Sequence, residues 1–200
     1  TLEAVSDMVA DVVPKNAILL GWSLGGLVAQ QIALNQASTL SAMVQVASTP
    51  KFAQSEDWHG IRPEILRVFE QQLEKDFSKT LDRFLAIQAM GAESARQDIK
   101  IIRQHVQQFP MPDQRALQAG LGILSSADLR DRIGALKLPT VRLYGRLDSL
   151  VPVKAAEAIE KLQPYGKQHV FAHASHAPFI SHPQEFVEVL LHSLSEIGVM

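Results

Sequence analysis

The chain has 200 residues, of which 46% are hydrophobic, 20% charged and 6% aromatic, and its 19 basic and 21 acidic side chains leave a net charge of −2. That length and apolar content suit one domain with a real core and exclude disorder, while the near-neutral balance provides no general basic field for nucleic acid. The absence of cysteine excludes a disulfide scaffold, Cys-ligated zinc and a thiol nucleophile, and no apolar run reaches the length of a membrane span.

The first pattern is helical. Leu2, Val5, Met8 and Val12 lie three or four residues apart and predict one apolar stripe on a helix closed by Pro14. Thr1 opens inside that pattern, with no basic and then apolar leader before it, so further strands of the same domain are expected ahead of residue 1. Ala17-Ile18-Leu19-Leu20 predicts a short strand buried on both faces, which would be an unpaired edge without an upstream neighbour. A glycine-rich turn then leads into a helix over residues 24–34, packed tightly through Gly25 and Gly26. Residues 42–47 predict a second buried strand, closed by Ser48-Thr49-Pro50. Residues 51–137 hold helical patterns, no convincing strand and 13 of the 19 basic residues. A third strand is predicted over residues 140–144, a helix over 153–162, a last strand over 168–171 and a final amphipathic helix over 183–197. Strands alternating with helices predict an α/β fold with a mostly parallel sheet flanked by helices. The block 51–137 then reads as an inserted helical cap, with core segments 1–50 and 138–200 on either side.

Gly21-Trp22-Ser23-Leu24-Gly25 fits G-x-S-x-G. A buried strand runs into it and a helix runs out, the context in which flanking glycines lift a serine hydroxyl above a sheet. The plainer alternative is a strand–helix turn with an incidental serine; neither phosphate-loop glycine pattern is present. A serine hydroxyl needs a base, and the base needs an orienting carboxylate. In the order Ser, acid, His, the candidates are Asp148, just past the third strand, and His176, just past the last. His173 competes with His176 as the base, and Asp148 has an alternative reading as a turn-former. His182 suits the start of a helix; His59, His105, His169 and His192 read as cap, strand or surface residues. His169, His173 and His176 lack the helical spacing of a metal site. Asp128 and Asp131 read as a helix cap and a solvated pair where the cap ends. The chemistry expected is acyl transfer: His176 takes the Ser23 proton, Asp148 fixes the imidazole tautomer, and the Leu24 backbone N–H is one oxyanion donor. A second donor is expected from a loop after an earlier strand.

In these features the chain resembles the α/β hydrolases and, within them, the pimeloyl-[acyl-carrier protein] methyl ester carboxylesterases of biotin synthesis. The residues that carry the resemblance are Gly21-Trp22-Ser23-Leu24-Gly25-Gly26-Leu27-Val28-Ala29, Arg83-Phe84-Leu85-Ala86-Ile87-Gln88, Leu143-Tyr144-Gly145-Arg146-Leu147-Asp148 and His176-Ala177-Pro178-Phe179-Ile180-Ser181-His182-Pro183. It implies a triad of Ser23, Asp148 and His176, and an acyl site formed by Trp22, Ser23, Leu24, Phe84, Leu85, Ala86, Ile87, Gln88 and His176. It implies a carrier-linked pimeloyl methyl ester as substrate, no cofactor, and a cytoplasmic monomer whose partner is an acyl carrier protein; charge balance and the short apolar runs already speak against nucleic acid and membrane as partners.

The cap's charges can be read separately. Lys75, Lys79 and Arg83 are spaced as one stripe, and Arg96, Lys100 and Arg103 as another, with Phe77, Leu81, Phe84 and Leu85 expected beneath them toward Ser23. Such stripes suit an acidic carrier, and the resemblance implies that it would dock on Lys79, Arg83, Arg96 and Lys100. The alternative is a solvated face, since residues 51–137 carry 13 basic against 12 acidic side chains. Two further readings stand beside the carrier esterase. One is a related capped hydrolase of small free esters or C–C bonds, and the other is a non-catalytic fragment of the same fold.

Overall fold

The computed structural model describes residues 1–199. Four strands, β1 (Ala17–Trp22), β2 (Leu40–Val46), β3 (Thr140–Gly145) and β4 (Lys167–Phe171), form one sheet in chain order, every pair parallel. Parallel neighbours need crossovers. α2 (Leu24–Gln36) and a 3-10 turn (Ala37–Thr39) join β1 to β2, and α8 (Val153–Leu162) joins β3 to β4. α1 (Leu2–Ala10) precedes the sheet; α9 (Pro178–Ser181) and α10 (Pro183–Glu196) follow it.

Alternation along the strands divides the core. Met43 and Tyr144 point to one face, into a cluster with Leu27 and Ile32 of α2 and Ala155 and Ile159 of α8. Val44, Val46, Val141 and Leu143 point to the other, onto Phe186 and Leu194 of α10. Every residue of β3 is therefore buried. This layering is the predicted mostly parallel sheet flanked by helices.

Two expectations at the start of the chain need correction. β1 is covered on one face only: Ala17 and Leu19 pack on the first cluster, while Ile18 and Leu20 lie outside the second and are 38% and 48% exposed. Among the described residues β1 stands first in the strand order, the unpaired edge expected where no upstream strand lies beside it. The apolar stripe of α1 is also turned. Leu2, Ser6, Val9 and Val13 face inward, whereas Met8 and Val12 are 73% and 78% exposed. Ser6 is buried on that inward face, and α1 packs on α2.

Between β2 and β3 run α3 (Pro63–Lys75), α4 (Phe77–Ala89), α5 (Ala95–Val106), α6 (Gln114–Ser126) and α7 (Arg130–Ile133), the segment predicted to be a cap. Its ends meet. The Leu129 N–H donates to the Pro50 carbonyl at 2.9 Å, and Asp128 pairs with Lys51 at 3.1 Å and Arg130 at 2.8 Å. Arg130 also reaches Asp57 at 2.8 Å and lies over the Trp58 ring. Among the described residues no helix is long and apolar enough to cross a membrane.

Asp128 makes this junction sensitive to acid. Partial burial alone would raise its carboxyl, but hydrogen bonds from Arg130 and Lys51 outweigh that and hold it at about 2. A lowered folded value gives a contribution that is complete above about pH 4 and disappears as pH falls toward about 2. Because the pair is partly solvated, a contribution of about 1 kcal/mol is appropriate. Asp128→Asn is expected to lower Tm by about 2–4 °C at neutral pH. In thermal unfolding at decreasing pH, the gap to wild type should close across that acid window; a constant gap would count against the ion pairs.

Candidate active site

The strand-to-helix turn is built on contacts too close for side chains. A Cβ on Gly21 would overlap the Gly25 carbonyl, and one on Gly26 would overlap the Ser48 side chain. Gly25 itself faces open space, so the predicted tight packing through Gly25 and Gly26 is carried by Gly26, with Gly21 on the other side of the turn. Ser23, between β1 and α2, adopts φ 54° and ψ −122°, a left-handed conformation costing about 1–3 kcal/mol in a non-glycine residue. The turn is held to the sheet by the Ser23 N–H, which donates to the Val46 carbonyl at 2.9 Å. Leu24 is the first residue of α2, so its N–H has no acceptor within the helix.

Asp148 follows the end of β3 and His176 the end of β4. The Asp148 carboxylate is divided between two tasks. Oδ1 accepts from the N–H groups of Leu150 and Val151 at 2.8 and 3.0 Å, and Oδ2 lies 2.7 Å from His176 Nδ1. Both readings of Asp148, turn-former and orienting acid, thus describe one side chain. A carboxylate can only accept, so Nδ1 donates to it and Nε2 is left to accept from Ser23 Oγ, 2.8 Å away. His176 and Asp148 are buried, while Ser23 is partly open.

The imidazole loop is held from three sides. Trp22 Nε1 donates to the His176 carbonyl at 2.8 Å, the His176 N–H donates to the Gln88 carbonyl at 3.1 Å, and Ser175 Oγ donates to the Met90 carbonyl at 2.8 Å. The last two carbonyls lie at the C-terminal end of α4.

Above Ser23 lies a cavity of about 330 Å³. Trp22, Ser23 and Leu24 line it at the turn; Phe69 and Leu73 line it from α3; Thr80, Leu81, Phe84 and Gln88 line it from α4. Ala116, Leu117, Gly120, Leu121 and Leu124 of α6 close it. Of the run predicted for the acyl site, Phe84 and Gln88 face the cavity, but Leu85, Ala86 and Ile87 do not. At 100° per residue a helix cannot turn five successive side chains to one side. Leu85 is buried elsewhere, and Ile87 packs on the first core cluster. Phe77, expected beneath the basic stripes, also packs on that core. The linings from α3 and α6 were not anticipated; their leucine spacing looks the same whether a helix faces a core or a cavity.

The basic stripes also change. Lys75 ends α3, and Asp76 breaks the chain there before accepting from the Lys79 N–H as the cap of α4, so Lys75 shares no helix with Lys79 and Arg83. Arg83 donates to Gln72 at 2.7 Å, and Arg103 pairs with Asp82 at 2.9 Å. Lys79, Arg83, Arg96 and Lys100 are all exposed. Elsewhere, His173 is exposed, His169 rests on Phe171, and His182 precedes α10. Among the described residues no group of three or more His, Asp or Glu side chains is placed to hold a metal ion.

Comparison with known proteins adds two kinds of likeness. The alpha/beta hydrolase fold family matches residues 7–183. The pimeloyl-[acyl-carrier protein] methyl ester esterase of Vibrio vulnificus (strain CMCP6) is 49% identical over 191 residues, covering 96% of this chain and 75% of that protein. The protein of the same name from Klebsiella pneumoniae (strain 342) is 48% identical over 198 residues, covering 99% and 77%. Both bear out the resemblance carried by the serine turn and the acid and histidine loops. Among solved structures, an esterase from Exiguobacterium antarcticum aligns with a TM-score of 0.80 at 20% identity, covering 97% of this chain and 72% of that one. A bromoperoxidase from Bacillus anthracis aligns with a TM-score of 0.83 at 17% identity, with the same coverage. At those identities the structures speak for the fold alone.

Proposed function

The chain belongs to the alpha/beta hydrolase fold family, and from that premise we propose that it is a serine carboxylesterase. Its substrate is the methyl ester of a pimeloyl group carried on an acyl carrier protein, and its products are methanol and the free carboxylate, a step of biotin synthesis. In this reading residues 51–137 act as a cap over a hydrolase core formed by 1–50 and 138–200. The observation that carries it is the unbroken relay from Asp148 Oδ2 through His176 to Ser23 Oγ, at 2.7 and 2.8 Å, on the floor of an apolar cavity.

Ser23 Oγ attacks the ester carbonyl carbon as its proton passes to His176 Nε2. The resulting oxyanion is stabilised by the Leu24 N–H, and one such donor is worth about 3–4 kcal/mol in a water-poor site. Collapse breaks the bond to the methoxy oxygen, which leaves as methanol with the proton from Nε2. Water then attacks the acyl-enzyme, with Nε2 accepting its proton and returning it to Ser23 Oγ. Asp148 stays a hydrogen-bond acceptor throughout, stabilising the charge on the ring. Trp22, Leu24, Phe84 and Gln88 hold the acyl chain. A cytoplasmic monomer is part of the same reading, and a cysteine-free chain is compatible with a reducing compartment.

The carrier itself docks beside the cavity, on Lys79, Arg83, Arg96 and Lys100. Reversing Lys79 and Lys100 to Glu is expected to lower kcat/KM for the carrier-bound ester by about tenfold at low salt, with the loss shrinking as salt rises. Hydrolysis of a free methyl ester should change little. Equal effects on both substrates would remove the docking assignment. Incubation with a fluorophosphonate, read by mass, should place one adduct on Ser23; a folded sample without that adduct would end the esterase reading.

A further inference from the structure

We propose that Gly120 is a specificity-determining residue, its missing side chain fixing how long an acyl chain the cavity above Ser23 accepts. The inference rests on the esterase reading of that site.

Gly120 lies inside α6, where glycine is the least favoured residue apart from proline. Nothing in the backbone requires it there. Its φ is not positive, in contrast to Gly91 and Gly198. Close packing does not require it either, unlike Gly21 and Gly26 at the serine turn. A Cβ on Gly120 would meet one side-chain atom within 4 Å, Leu24 Cδ2 at 3.5 Å, which is ordinary contact.

The helix face that carries Gly120 is otherwise one alanine, Ala116, and three leucines. Leu117, Leu121 and Leu124 line the cavity with it at the spacing of one helical stripe. What a side chain would enter is therefore the cavity, beside the residue that follows the nucleophile. The valine isopropyl group takes up roughly the room of three acyl carbons in a close-packed site. The helix supplies its own control: Gly122, two residues on, meets nothing within 4 Å and does not line the cavity.

The test is a series of p-nitrophenyl esters from acetate to octanoate, with wild type, Gly120→Ala, Gly120→Val and Gly122→Val. Gly120→Val should lower the octanoate-to-acetate ratio of kcat/KM by about tenfold or more, with Gly120→Ala between it and wild type. Gly122→Val, which makes the same change in helix propensity, should keep the wild-type ratio. The proposal is overturned if the ratio is unmoved in Gly120→Val, or falls as far in Gly122→Val. Should Gly120→Val not fold, an unmoved ratio in folded Gly120→Ala overturns it equally. A wild-type chain that turns over none of the esters and takes no fluorophosphonate on Ser23 overturns the esterase reading as well. Normal turnover with an unmoved ratio overturns the role of Gly120 alone.

Discussion

Replacing Ser23 by alanine is expected to lower kcat for ester hydrolysis by about 10⁵-fold, the scale on which hydrolases lose activity when the nucleophile is removed. Only Oγ is deleted, so the imidazole keeps its bond to Asp148 and the cavity keeps its walls. The alanine inherits the left-handed backbone at φ 54°. Its Cβ meets the same strain as that of serine, so Tm should lie close to that of wild type. Steady-state hydrolysis of the methyl ester, together with loss of the fluorophosphonate adduct, measures this. Residual turnover above about one per cent in contaminant-free protein would place the nucleophile elsewhere.

Asp148→Asn should cost about 10⁴-fold in kcat with little change in KM, because it reverses the imidazole without disturbing the loop. The asparagine oxygen can take over the acceptor role toward the N–H groups of Leu150 and Val151. Its amide NH₂ then faces Nδ1 and donates to it. The ring must carry its proton on Nε2, which now points a donor at Ser23 instead of a lone pair. Asp148→Ala should lose comparable activity and stability as well, since those two N–H groups lose their partner. Thermal unfolding separates the two variants. An Asn variant within tenfold of wild-type kcat would show that Asp148 does not set the tautomer.

The parts of this molecule that were legible in the sequence are those where chemistry is compressed into a few residues. The serine turn is one continuous stretch. Asp148 and His176 each follow a short apolar strand, and the parallel topology gathers strand ends at one edge. The rest depends on which face of an element meets which neighbour. Val5, Met8 and Val12 satisfy helical spacing as well as Leu2, Ser6, Val9 and Val13 do, and only the docking of α1 on α2 decides between them. Lys75 and Lys79 are four apart, but a single capping aspartate between them ends one helix and starts another. Leu117, Leu121 and Leu124 read as core until α3 and α4 leave space in front of them.

The bond between Leu129 and Pro50 means that the excursion over the sheet departs and returns at a single point. A peptide tethered in that way is close to modular. It can change in length away from the α4 carbonyls of Gln88 and Met90, which hold the His176 loop, while the spacing of β2 and β3 stays fixed. On the proposed reading of 51–137 as a cap, substrate preference can then diverge in the outer part of that segment apart from the bond-breaking machinery, with the narrow neck at Lys51 and Asp128 as its junction to the core.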